Sequence, residues 1–203
     1  MMRNKLLVIM ILLAGTSAIV SQDPITDADY TFEKAVEGSK APQKILDELC
    51  LLNVTYYSTD SKLHRGQLVI AKDLKSDVEK IFEVILKEKF PVAKCIPIVK
   101  YKWSDAASMA DNNTSAFCYR TVSGSKSLSL HAKGRAIDIN PKFNPCIEKG
   151  VISPKGAKYK VANPGTFSHT SAIYKKFISL GWKWGGNFKS LKDYHHFFKK
   201  DSK

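Results

Sequence analysis

The segment "RAIDIN", Arg135 to Asn140, sets the tightest limit on how this chain can fold. Asp138 stands between Ile137 and Ile139 in a short apolar run that reads as a buried strand. A carboxylate in such a place is costly unless a positive group receives it: an arginine, a helix N-terminus or a metal ion. Gly134 lies between this strand and His131, so a bend at "AKG" would bring the face carrying Ala136, Asp138 and Asn140 back toward the imidazole. Any fold for this chain must therefore deliver a cation, or a group of cationic character, to Asp138.

A second segment, "DYHHFF", Asp193 to Phe198, reads as a last short strand. It offers Asp193 and His196, while His195 points the other way if the segment is extended. Two histidines and one carboxylate with an open fourth position suit a catalytic zinc, and a further carboxylate beside it can serve as general base and then acid. The chain has no HExxH helix, so this reading rests on two separated segments. His64 in a turn and His169 near a helix start are assigned no role.

The first residues, "MMRNKLLVIMILLAGTSAIVSQ", carry Arg3 and Lys5, then an apolar run, then small residues around Ala18 and Ser21. This is the layout of a secretory signal peptide over residues 1–21, with an apolar core short for a membrane span. Export to a secreted or periplasmic location is expected, with no stable membrane insertion after cleavage. The formal charge is +13, of which Arg3 and Lys5 supply two. For an exported protein that excess fits an anionic cell-wall polymer better than nucleic acid, for which no arginine-rich tract or aromatic RNA motif is present. Four cysteines, Cys50, Cys95, Cys118 and Cys146, make an even set for an oxidising compartment. They are expected to form two structural disulfides, with three connectivities open.

Residues 22–40 read as a loosely ordered lead-in and 41–203 as one domain. "APQKILDELCLL" has helical spacing, and "VTYYS" and "GQLVIA" read as strands about a polar turn. In "KDLKSDVEKIFEVILKEKF", Leu74, Val78, Ile81, Phe82, Ile85 and Leu86 form one stripe of a helix that ends before Pro91. "CIPIVKY" reads as a strand, "SDAASMADNNTS" as a polar segment, "AFCYR" and "RAIDIN" as short strands. Residues 141–164 form a long connection without periodicity, and "SAIYKKFISLG" is a helix closed by Gly181. Unequal runs of strands and helices place the chain in the α+β class, a single domain of a small antiparallel sheet with flanking helices.

"SLHAKGRAID" and "DYHHF" resemble the SxHxxGxAxD and DxxHF patterns of the zinc D-alanyl-D-alanine carboxypeptidase and L-alanyl-D-glutamate endopeptidase family. "GWKWGGNF", "NNTSAFCYR" and "DINPKFNP" are similar to the L-alanyl-D-glutamate branch, which includes phage endolysins, and the similarity runs from Ala41 to Phe198. The resemblance implies a hedgehog/DD-peptidase-like fold, one catalytic Zn2+ held by His131, Asp138 and His196, and Asp193 as the catalytic carboxylate. It also implies that Arg120 contacts substrate and polarises the scissile carbonyl or holds a substrate carboxylate. Ser129 is placed near the substrate or the ligand loop, and Trp184 on the cleft wall. The substrates implied are peptidoglycan stem peptides, cut at the L-Ala–D-Glu bond, with removal of terminal D-Ala as the alternative; a monomer is expected. A non-catalytic wall-binding relative and a hedgehog-type signalling domain are the competing classes. The presence of Asp193 and all three ligands argues against the first, and the wall-peptidase flanks against the second.

The chain departs from the family in places. Phe198 stands where Glu or Gln is usual, and Asn187-Phe188 where "DW" is usual. Cys118 replaces an Asn before "YR", and Cys146 replaces an aromatic after "NP". The last two together point to an added Cys118–Cys146 disulfide. No ligand or base position is lost, so an active enzyme is expected.

Overall fold

The computed structural model describes residues 23–201; the signal-peptide segment 1–21 lies outside them. In chain order the elements begin with β1 (Ile25–Thr26), α1 (Phe32–Val36), α2 (Gln43–Leu46), β2 (Leu49–Tyr57) and β3 (Leu63–Ala71). Then come α3 (Lys75–Lys87), β4 (Lys94–Cys95), α4 (Asp105–Ala110), β5 (Asn113–Thr114), β6 (Ala136–Asp138), β7 (Cys146–Glu148) and β8 (Val151–Ser153). The chain closes with α5 (Ala172–Ser179), β9 (Lys183–Trp184), β10 (Lys192–Asp193) and β11 (His196–Phe198). None of the described helices is long and apolar enough to cross a membrane.

The scaffold is the β2–β3 hairpin, paired in unbroken register from Leu49 opposite Ala71 to Tyr57 opposite Leu63. Leu52, Val54 and Tyr56 of β2 join Leu68 and Ile70 of β3 in the core. The stripe read from the sequence covers it: Val78, Ile81, Phe82 and Ile85 of α3 are buried there, at the spacing of one helical face. Phe167, Ile173, Phe177, Trp182, Trp184 and Phe197 extend the same core toward the C-terminal strands.

The α+β class with flanking helices is as expected, and the strands are divided among several small sheets. β1 joins β3 in parallel, and β4 pairs with β5 in parallel. The antiparallel sheet β6–β11–β9 carries two candidate ligands, Asp138 and His196, and a second, β10–β7–β8, carries Asp193.

Several segments differ from their sequence reading. The lead-in holds β1 and α1, and it is fastened: Asp27 accepts from the Tyr56 hydroxyl and lies 2.8 Å from His64 Nδ1, and Tyr30 N donates to Gln67 Oε1 at 2.7 Å. These are polar ties between short elements, which leave no periodicity to read. "CIPIVKY" is a strand only at its start, because the chain turns into a 3-10 turn at Ile98–Tyr101. The polar "SDAASMA" forms α4, capped by Ser104, whose side chain accepts from Ala107 N. The connection 141–164 contains the β7–β8 hairpin. "AFCYR" forms no named strand, since its backbone bonds go singly to Val69, His131 and Ser129.

The two expected disulfides are not formed; all four cysteines are free thiols. Cys50 lies on β2 opposite Ile70, and Cys95 is buried under β3 with its Sγ 3.6 Å from the Gln67 carbonyl. Cys118 adjoins the ligand turn and Cys146 sits on β7 opposite Asp193. Burial pushes the Cys118 and Cys146 thiols up to about 12, with nearby acidic groups, Asp105 and Asp193 respectively, acting the same way. Thiols in such surroundings stay protonated and inert.

Candidate metal centre

The site is built from a turn and a strand register. Ser129 caps the 3-10 turn Leu130–Lys133 by accepting from His131 N at 3.3 Å, and its own N–H donates to the Arg120 carbonyl at 3.0 Å. The turn ends at Gly134, whose φ of 63° is left-handed. A Cβ there would lie 2.7 Å from Leu49 Cδ2 and 2.8 Å from Ala71 N, and Ala71 N donates to the Gly134 carbonyl at 3.0 Å. The turn is thus pressed directly onto β2 and β3. Arg135, 6% exposed, fixes its far side through two bonds to the Asp73 carboxylate, at 2.7 and 2.9 Å, and one to the Lys199 carbonyl at 3.1 Å. β6 then runs antiparallel to β11, which sets His196 opposite Asp138. A slip of one residue would turn His196 away from the site.

Each ligand atom faces the other two. His131 Nδ1 lies 2.6 Å from the Ala116 carbonyl, a pure acceptor, so this nitrogen carries the ring proton and Nε2 offers a lone pair. That Nε2 is 3.2 Å from Asp138 Oδ2 and 3.1 Å from His196 Nδ1, and His196 Nδ1 is 2.9 Å from Asp138 Oδ1. One donor atom from each of the three residues lies within 4.8 Å of the others. A proton on His196 Nδ1 serves one of its two neighbours well, whereas a single cation among the three serves all. Two imidazole nitrogens and one carboxylate oxygen are a donor set that would suit zinc. His131 and Asp138 are each 2% exposed, while the His196 side chain is 16% exposed. Burial works against ionisation of Asp138, but the imidazoles of His131 and His195 outweigh it and hold the carboxyl well below the usual range. For His131 burial is likewise overcome, here by Asp138, and the pKa is raised.

Phe198, where a hydrogen-bonding residue was expected to matter, stacks on His196 with ring centroids 5.4 Å apart and packs against Phe188 at 5.8 Å. The His196 ring is therefore steadied by aromatic packing. Trp184 is 2% exposed, donates through Nε1 to the Tyr194 carbonyl at 2.8 Å, and packs against Phe197. It braces β11 from the core.

Asp193 lies on β10 beside this centre, its side chain 20% exposed. His195, read from the sequence as pointing away, is the neighbour that holds it. Its Nε2 is 2.9 Å from Asp193 Oδ1 and 3.9 Å from Asp138 Oδ2, and its Nδ1 donates to the Asn144 carbonyl at 2.8 Å. The reason is a break between β10 and β11, so the segment is not one extended strand. Burial opposes a charge on His195, but Asp193 and Asp138 push its pKa up to about 10. Asp193 in turn is lowered, His195 outweighing burial, and so stays an anion. The contact is close without being aligned: Asp193 Oδ1 is a buried oxygen with no hydrogen-bond donor among the described residues. A carboxylate held by charge, with lone pairs still free, is suited to receive a proton.

Arg120 lies within electrostatic range of His131. Its Nη2 is 2.9 Å from Asp105 Oδ2 and its Nη1 donates to the Thr121 carbonyl at 3.5 Å, while Nε is buried and makes no hydrogen bond among the described residues. His195, Asp105 and the Ala116 carbonyl were missed from the sequence. The doubled histidine of "DYHH" was the one signal available for His195, and the other two had none.

No curated protein and no solved structure matches the chain. The family model described as D-alanyl-D-alanine carboxypeptidase matches residues 123–199. That segment holds His131, Asp138, Asp193 and His196 but not Arg120, and it supports the broad family named by the sequence motifs without singling out the L-alanyl-D-glutamate branch.

Proposed function

We propose that this chain is an exported, zinc-dependent peptidase that hydrolyses an amide bond of peptidoglycan stem peptides. The observation that carries the reading is the convergence of His131 Nε2, Asp138 and His196 Nδ1 within 4.8 Å, with a second carboxylate, Asp193, free to take a proton beside them. Bound by these three residues, zinc would polarise the scissile carbonyl and acidify a water. Asp193 accepts the proton of the attacking water and returns it to the leaving amine. His195 keeps Asp193 ionised and holds it toward the centre. Arg120, whose side chain is about one third exposed, donates to the carbonyl oxygen as negative charge develops there. Ser129 acts through the ligand turn, whose first residue it caps.

The flanking motifs favour the L-Ala–D-Glu bond. Removal of terminal D-Ala is the second reading, favoured by the description of the matched family. The net charge of +13, or +11 without Arg3 and Lys5, suits attachment to an anionic wall polymer, an attraction that weakens with salt. Mass spectrometry of stem-peptide products, with zinc and with a chelator in parallel, tests the proposal. New N-terminal D-Glu peptides identify the endopeptidase, and free D-Ala alone identifies the carboxypeptidase. The absence of both products from a zinc-loaded protein would overturn the proposed activity.

A further inference from the structure

We infer that Asp105 is a positioning residue for the reaction, acting through Arg120; this rests on the peptidase reading above. Asp105 opens α4, directly after the Ser104 cap, so its backbone is fixed by the first turn. Its Oδ2 engages Arg120 Nη2 at 2.9 Å, with the two side chains only 21% and 32% exposed. Elsewhere Arg120 meets only weak partners, the Thr121 carbonyl at 3.5 Å from Nη1 and the neighbouring Cys118 thiol. The guanidinium is thus clamped at one end and left with a buried, unpaired donor at Nε. The rest of the guanidinium is partly exposed and within electrostatic range of His131, so its remaining donors can meet an acceptor that arrives with the substrate.

The same clamp is tied to the ligand turn. The Arg120 carbonyl accepts from Ser129 N, and Cys118 N donates to the His131 carbonyl, so the backbone that carries Arg120 runs alongside the turn that carries His131. The one freedom left to Arg120 is the direction of its side chain, and Asp105 sets it. The carboxylate also offsets the guanidinium charge, which suits Arg120 to a neutral carbonyl whose oxygen gains charge during the reaction.

The test is a double-mutant cycle with Asp105→Ala, Asp105→Glu and Arg120→Ala, measured as kcat and KM on a stem peptide that the wild-type protein cleaves. Asp105→Ala is expected to lower kcat by between about ten- and a hundredfold with a smaller change in KM, the cost of a misplaced catalytic group. In the Arg120→Ala background the same change should have no further effect, and Asp105→Glu should recover part of kcat. Zinc content, measured by elemental mass spectrometry, should remain that of the wild type in every variant. Full kcat in Asp105→Ala, or equal losses with and without Arg120, would overturn the inference. A wild-type protein that binds zinc but cleaves no stem peptide would overturn the peptidase reading instead.

Discussion

Replacing Gly134 by alanine perturbs the one residue that joins the His131 turn to the Asp138 strand. An alanine at φ 63° pays the left-handed penalty, about 1–2 kcal/mol. Its Cβ would also stand 2.7 Å from Leu49 Cδ2 and 2.8 Å from Ala71 N. The leucine tip can move, but the Ala71 nitrogen belongs to β3 and donates to the Gly134 carbonyl, so the turn itself must lift. Overpacking of this kind costs about 1–3 kcal/mol. Together the two effects remove roughly 2–5 kcal/mol from a total of about 5–15. For a chain of this size that lowers Tm by roughly 5–15 °C. Lifting the turn also carries His131 away from His196 and Asp138, so zinc affinity should fall with stability. Gly134→Asn separates the causes: asparagine tolerates the dihedral but keeps the Cβ, and it should restore little. Thermal melts and zinc titration by calorimetry read both effects. A Gly134→Ala protein that melts within about 2 °C of wild type and binds zinc equally would refute the reasoning.

Zinc affinity should weaken on acidification, and from a higher pH than an ordinary imidazole would give, because Asp138 raises the proton affinity of the His131 lone pair that the metal needs; a chelator-competition titration from pH 8 to 5 reads it. His195→Leu leaves the Asp193 carboxylate buried without its charge partner and should cost about 3–5 kcal/mol in denaturant unfolding, with Asp193 pushed toward its neutral form. Folding stability should be greatest between roughly pH 4 and 6.5, the unfolded values of the groups concerned. The His195 pKa is raised to about 10, so its contribution is complete below the unfolded value of 6.5 and is lost as pH climbs through 10. Asp138 and Asp193 are lowered, so theirs is complete above 3.8 and is lost in acid. A series of melts across pH 3 to 10 that rises steadily toward the alkaline end would contradict this assignment.

The candidate ligands His131, Asp138 and His196 were legible mainly through the resemblance of two short motifs, and Asp138 also from its place in an apolar strand, where a carboxylate calls for a positive group. The β2–β3 hairpin and α3 were legible from period, since each buries a regular face. What periodicity does not carry was misread. Asp27 fastens the lead-in to Tyr56 and His64 through single polar contacts between residues far apart in sequence. Asp105 sits in a segment with no apolar pattern, and only the folded chain brings it to Arg120. His195 was assigned by alternation along an extended strand, but the backbone breaks between Asp193 and His196. The cysteine count predicted pairs, whereas the four thiols stand in separate surroundings, Cys95 and Cys118 buried and Cys50 and Cys146 partly so.

The most direct test of the account is amide cleavage of a synthetic stem peptide by metal-free protein during stepwise addition of zinc. The account predicts no cleavage at the start, a linear rise to one zinc per chain and a plateau thereafter, with Asp138→Ala inert throughout. Cleavage that proceeds without metal, or that rises equally in Asp138→Ala, would contradict it.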